Sequence, residues 1–180
     1  MIVINLYGAP GAGKSTGAAY LFSQLKLAGI NAELVTEFAK DKVWEESKAV
    51  FENQAYLFGK QYFRMSRVDG KVDVVVTDSP LLLSSYYNKD EIILGEEFDK
   101  LVTKVAKSYN SINIFINRVK PYNPKGRFQT EEESDLVCVE LMDFLKNHNV
   151  DCLFYNGCQE DYDRLARDIL MMLETKKGNN

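Results

Sequence analysis

Gly8-Ala9-Pro10-Gly11-Ala12-Gly13-Lys14-Ser15-Thr16 is the stretch that decides the fold of this chain. Its first eight residues match the pattern G-x-x-x-x-G-K-[ST] position by position. Each residue type has a physical reason. Gly8 and Gly13 let the backbone curl until its N–H groups converge on phosphate oxygens. Lys14 carries a point charge to the β- and γ-phosphates, and the Ser15 hydroxyl suits Mg²⁺. A helix opening at Lys14 adds its dipole. Gly8, Ala9, Pro10, Gly11, Ala12, Gly13, Lys14, Ser15 and Thr16 are therefore the candidate ATP-binding residues. Lys14 is also a candidate catalytic residue and Ser15 a candidate metal ligand. A glycine-rich turn that merely joins a strand to a helix is the competing reading, and the flanks argue against it. Residues 2–7 form a short, β-branched apolar run with no solvated face, as in a parallel strand buried on both faces. A helix is predicted from Lys14 to about Ala28, with Gly29 as its C′ residue.

Outward from the motif, strands are predicted at 31–36, 72–77, 112–116 and 150–155. Helices are predicted at 45–67, 81–87, 96–108, 130–147 and 160–174. In the long one, Phe51, Ala55, Phe58, Tyr62 and Met65 recur at helical spacing. Thr130 followed by Glu133 is a capping box. Strands alternating with helices imply one parallel sheet covered on both faces, an α/β fold. The reading is of a single domain over residues 1–175, with a loop at 117–130 and a polar, frayed tail at 176–180.

Composition bounds the function. At 180 residues the chain has length for one well-buried core. With 46% hydrophobic and 27% charged residues it reads as globular rather than disordered. The net charge of −4 argues against a protein that coats nucleic acid non-specifically. Cys138, Cys152 and Cys158 lack CxxC spacing, so reduced thiols are expected and a zinc site is not. No run approaches the length of a membrane span and no basic n-region precedes the first strand, so a cytoplasmic protein is expected.

Strand ends supply the acids. The strands of a parallel sheet present their C-terminal ends at one edge, where ligands bind. Asp78 ends the apolar run Val74-Val75-Val76-Thr77 and so belongs near the phosphate loop. It is a candidate ligand of Mg²⁺ or a proton acceptor, and Ser79-Pro80 after it also suit an Asp that caps the next helix. Glu37 ends the second strand, placed to orient or deprotonate an acceptor hydroxyl, although exposed glutamates at strand ends are common.

Arg118, Lys120, Lys125 and Arg127 lie within ten residues that hold no acid. They read as a mobile lid whose arginines neutralise a transferring phosphoryl group. A solvated loop pairing with the acids at 131–133 is the alternative. Gln54 and Gln61 share a helix face and suit a base edge, an exposed polar face being the plainer account. Trp44, Tyr56, Tyr86 and Tyr87 fit either a stack on a substrate ring or the core. His148 is assigned no role beyond the surface or a cap.

The phosphate loop, Glu37-Phe38, Thr77-Asp78-Ser79-Pro80 and the late basic segment together resemble the ribosylnicotinamide kinase-like group of small P-loop kinases. The likeness spans nearly the whole chain, and only the phosphate loop in it is highly specific. The group includes many bacteriophage proteins. Kinases acting on 5-hydroxymethyluridine within DNA look similar in architecture. In this group a glutamate-aromatic pair follows the second strand, like Glu37-Phe38, and an aspartate ends the third, like Asp78. The resemblance implies five parallel strands in the order 2-3-1-4-5, with ATP and Mg²⁺ as cosubstrates. The segment 118–129 is longer and more basic than a plain nucleoside kinase lid.

The activity expected from these features is transfer of the γ-phosphoryl group to a hydroxyl of a nucleoside-like acceptor, free or within DNA. Lys14, Asp78, Glu37, Arg118 and Arg127 are the candidate catalytic residues. Glu37, Phe38, Gln54, Gln61, Lys120 and Lys125 are the candidates for the acceptor, and Ser15 and Asp78 for the metal. A nucleoside monophosphate kinase of thymidylate type is the nearest alternative, and a regulatory P-loop ATPase one of another class. Such ATPases carry a hydrolytic glutamate after the strand-end aspartate, where this chain has Ser79. The expected assembly is a monomer or homodimer.

Overall fold

Five strands, β1 (Ile2–Tyr7), β2 (Ala32–Val35), β3 (Val74–Thr77), β4 (Asn110–Asn117) and β5 (Leu153–Asn156), form one parallel sheet in the order β2-β3-β1-β4-β5. This is the architecture of a computed structural model that describes residues 1–88, 92–125 and 129–178, apart from the side chains of Lys48 and of residues 176–178. The helices are α1 (Lys14–Leu27), α2 (Phe38–Trp44), α3 (Gln54–Ser66), α4 (Leu83–Tyr86), α5 (Gly95–Lys107), α6 (Glu131–Asn147) and α7 (Gln159–Gly178). The α/β class and strand order are as expected.

The central strand β1 pairs with β3 from Ile2↔Val74 to Asn5↔Thr77, and with β4 from Ile2↔Asn110 to Tyr7↔Phe115. Strand residues alternate between faces, which makes two cores. On one face Ile4, Leu6, Val76 and Ile114 meet Leu21 and Leu25 of α1 and Leu165 and Ile169 of α7. On the other, Val3, Val75 and Phe115 meet Phe58 and Met65 of α3, Val102 of α5 and Leu141 and Leu145 of α6. Because both faces are covered, the central strands are mostly apolar, β3 along its whole Val74-Val75-Val76 run, and that made them legible.

The helix termini follow local chemistry. Gly29, at φ 74°, ends α1 with Ile30 N donating to Leu25 O (3.0 Å) and Gly29 N to Lys26 O (3.0 Å), a Schellman motif. Asn149, at φ 55°, ends α6 the same way, with Val150 N donating to Leu145 O at 2.9 Å. That bond commits Val150 to the helix terminus, so β5 begins at Leu153 rather than at 150. The capping box of Thr130 and Glu133 is formed in both directions. No helix among the described residues is long and apolar enough to cross a membrane.

Two expectations are corrected. The predicted helix over 45–67 is instead a 3₁₀ turn (Lys48–Glu52) followed by α3. Asn53 makes the break, because its side chain accepts from Tyr56 N at 2.9 Å and opens a new helix. The helical recurrence of Phe58 and Met65 is real, but Phe51 belongs to the turn before it. The short helix α2, whose residues are nowhere fully buried, follows β2 where no element was expected. In addition, α7 runs through Gly178, so residues 176–178 of the expected tail continue a helix.

Candidate functional site

The loop between β1 and α1 takes its shape from three glycines. Gly8, Gly11 and Gly13 have φ of 141°, 83° and 102°, values that side chains resist. A Cβ on Gly8 would also stand 2.5 Å from Ile116 O, and one on Gly13 would overlap the Tyr162 hydroxyl. The loop is held from outside by two later helices. The Tyr162 hydroxyl on α7 donates to Gly13 O at 3.0 Å, and the Ser134 hydroxyl on α6 donates to Pro10 O at 2.7 Å. Gly157, between β5 and α7, has no room for a side chain against Ala12 O. Ser134, Gly157 and Tyr162 were not legible in the sequence. Ser134 and Tyr162 lie 124 and 149 residues from the carbonyls they hold, and no local pattern marks such a partner.

Lys14 folds its ammonium back over the loop, donating to Gly8 O (2.9 Å) and Ala9 O (3.2 Å). Two acids come to the same edge. Asp78, 4% exposed at the end of β3, accepts from Glu37 N at 3.1 Å through Oδ1. It does not cap the next helix, since α4 has no side-chain cap. Glu37 is the N-cap residue of α2. Burial raises its carboxyl above the ordinary range; Lys14 opposes that shift and Asp78 adds to it. Lys14, Glu37 and Asp78 therefore form one electrostatic unit drawn from three separate segments.

No group of three or more His, Cys, Asp or Glu side chains suited to a metal exists among the described residues. Ser15 and Asp78 are hard oxygen donors. Such a sparse set fits Mg²⁺, which keeps waters and phosphate oxygens in its shell, and does not suit a transition metal.

A cleft of about 910 Å³ joins the two ends of the site. Gly8, Gly13, Lys14, Ser15 and Thr16 line it, with Glu37, Asp78 and Ser79. Phe38, Val43, Trp44, Phe51, Gln54, Leu57 and Tyr87 line it too, with Glu52. Trp44 and Tyr87 thus belong to the cleft rather than to the core. Trp44 is 67% exposed, and the Tyr87 hydroxyl is pushed up to about 12 by burial and then by the charge of Glu37. Tyr56 packs edge-on against Phe38, and Tyr86 packs against Phe144.

The other candidates are placed unevenly. Gln54 and Gln61 both line the cleft, but their amides are engaged by backbone. Gln54 Nε2 donates to Phe51 O at 3.3 Å, and Gln61 bonds at residues 36 and 38. Arg118 lies outside the cleft lining, paired with Glu131 at 2.5 Å and with Asp135 on α6. That is close to the alternative reading of the basic loop. Lys120 is not in the lining either, and its ammonium stands 6.0 Å from the Tyr162 ring. Lys125 and Gln129 do line the cleft. Arg127 lies outside the described residues. His148 is the C-cap residue of α6, its Nδ1 2.9 Å from Phe144 O.

A family model described as an AAA domain matches residues 3–162. No curated protein matches the sequence. Among solved structures, a NadR protein in complex with NR superposes with a TM-score of 0.67 at 19% identity. The match covers 92% of this chain and 49% of that one, so this chain spans about half the length of the NadR protein. At that identity the likeness is one of fold.

Proposed function

The chain belongs to the AAA domain family, and from that premise we propose that it is a kinase. In this reading it transfers the γ-phosphoryl group of ATP to a hydroxyl of a free, nucleoside-like acceptor. One observation carries the proposal: the phosphate loop, the acids Glu37 and Asp78, and the rings of Phe38, Trp44 and Tyr87 all line one cleft. A hydrolase needs only a water beside the phosphates. A cleft that adds Phe38, Trp44 and Tyr87 to the phosphate loop has the chemistry to receive a planar ring as well.

The chemistry assigns each group a task. Loop amides and Lys14 bind the β- and γ-phosphates. Mg²⁺, held through Ser15 and Asp78, would supply charge neutralisation between them. The acceptor oxygen forms a bond to the γ-phosphorus as the bond to the β–γ bridging oxygen breaks, and ADP leaves. Glu37, half-buried and raised in proton affinity, takes the hydroxyl proton.

Charge favours a small acceptor without phosphate. Apart from Lys14 in the phosphate loop, the cleft lining offers the carboxylates Glu37, Glu52 and Asp78 against Lys40 and Lys125. A monophosphate acceptor needs cations there. A polynucleotide acceptor would draw on Lys125, which lines the cleft, and on Lys120, which does not. The NadR protein solved with NR agrees with the nucleoside reading, as an analogy of fold.

The test is incubation with labelled ATP, Mg²⁺ and a panel of nucleosides, ribosylated bases, monophosphates and DNA with or without hydroxymethylated pyrimidines. Label on a free nucleoside is the expected result. Label on a monophosphate or on DNA replaces the acceptor class. ATP hydrolysis with no labelled acceptor sinks the kinase reading. Trp44 is the only tryptophan, so quenching of its emission reports entry into the chamber without turnover.

A further inference from the structure

The corner between β2 and α2 is held by side chains, and we infer that Gln61 is a positioning residue for Glu37 rather than a reader of the acceptor. Its catalytic half rests on the kinase reading. Three consecutive residues leave the β2 ladder with backbone groups to satisfy. The Thr36 carbonyl accepts from Gln61 Nε2 (3.3 Å) and Arg64 Nη1 (3.1 Å). Glu37 N–H donates to Asp78 Oδ1 (3.1 Å). Phe38 N–H donates to Gln61 Oε1 (3.0 Å). One amide therefore bridges the residues on either side of Glu37.

Gln61 is 5% exposed on α3, whose packing on the sheet is set by Phe58 and Met65. The clip thus ties the Glu37 backbone to the core rather than to the thinly packed α2. The amide fits only one way round, since Thr36 offers an acceptor and Phe38 a donor. Turning it to read a base would take the acceptor from Phe38 N–H, while Arg64 would still serve the Thr36 carbonyl. Glu37 has its carboxyl in the cleft beside Lys14 and Asp78. A small displacement of its backbone moves the group that meets the acceptor hydroxyl, and a misplacement of about 1 Å costs on the order of a hundredfold in rate.

The test is a double-mutant cycle with a second readout that needs no turnover. Gln61→Met keeps length and apolar packing while removing both bonds. It is expected to lower kcat roughly ten- to hundredfold, with the KM for ATP and for the acceptor within about twofold of wild type. In a Glu37→Ala background the same change is expected to add little, because its effect passes through Glu37. Gln61→Glu keeps an acceptor for Phe38 N–H but turns an oxygen toward the Thr36 carbonyl in place of the donor, so it should recover only part of the loss. A rise in acceptor KM or additivity with Glu37→Ala overturns the inference. Amide hydrogen exchange at Phe38 should quicken by roughly tenfold in Gln61→Met, the loss of about one hydrogen bond, while the Glu37 amide keeps its bond to Asp78. Amides of β1 and α1 serve as the control for folding. Unchanged exchange at the corner overturns the clip even if wild type phosphorylates no acceptor, the result that would sink the kinase reading alone.

Discussion

The two ends of the cleft are built by different means. The phosphate end is contiguous in sequence and made of backbone. Its three glycines take conformations that side chains resist, and Tyr162, Ser134 and Gly157 close on it from later segments. The part of the cleft that the kinase reading gives to the acceptor draws on α2, the 3₁₀ turn, α3 and α4, and its walls are side chains. Residues of α2 are nowhere fully buried. Arg64 fastens that helix through Asp41 at 2.6 Å, a partly exposed ion pair of modest worth. A phosphate is the same in every nucleotide, so a rigid backbone cradle serves it once and for all. Acceptors differ, and a side-chain chamber on a lightly anchored helix changes with few substitutions.

Substitutions that strike one end alone test this division. The largest effect is expected from Lys14→Ala, a loss of roughly a thousandfold or more in turnover with the fold retained. Circular dichroism and a melting curve beside the rate check both halves. Asp78→Asn keeps an oxygen for Glu37 N–H but loses the charge offered to Mg²⁺. Turnover should fall roughly ten- to hundredfold and the Mg²⁺ needed for half-activity should rise. An unchanged Mg²⁺ titration would restrict Asp78 to holding the corner.

The next substitution belongs to the acceptor end. Trp44→Ala should raise the acceptor KM roughly tenfold, the scale of one lost ring stack, and leave the KM for ATP alone. Equal changes in both would break the division. At the phosphate end, Tyr162→Phe removes one hydrogen bond, worth about 1 kcal/mol, and should weaken ATP binding about fivefold by calorimetry. The smallest effect is expected from Lys120→Ala with Lys125→Ala. For an uncharged acceptor the salt dependence of its KM stays flat in both proteins. For a DNA acceptor the double substitution would reduce the slope by about two phosphate contacts.

The loop Gly8–Ser15, the strand β1 before it and the helix α1 after it were legible because each signal is local. Glycine spacing, an apolar run and a C′ glycine all act within a few residues. The positions of Asp78 and Glu37 at one edge were legible at one remove, since a parallel sheet gathers its strand ends. The basic segment was not. Its four cations read alike in sequence, yet Arg118 is claimed by Glu131 and Asp135 on α6 while Lys125 reaches the cleft. Which cation meets which acid depends on how α6 packs, and composition carries no record of that.

The sequence by itself determined that a glycine-shaped loop sits between β1 and α1, in a parallel sheet covered on both faces. Glycine conformations and buried-strand patterning are properties of short segments, and short segments can be read directly. Only the tertiary structure decided that Tyr162 and Ser134 brace the cradle, that Gln61 spends its amide on residues 36 and 38, and that Trp44 faces a cleft rather than a core. These are contacts between segments distant in the chain. They are chosen by helix packing on the sheet, where a hydroxyl or amide takes whichever buried partner the packing brings within about 3 Å.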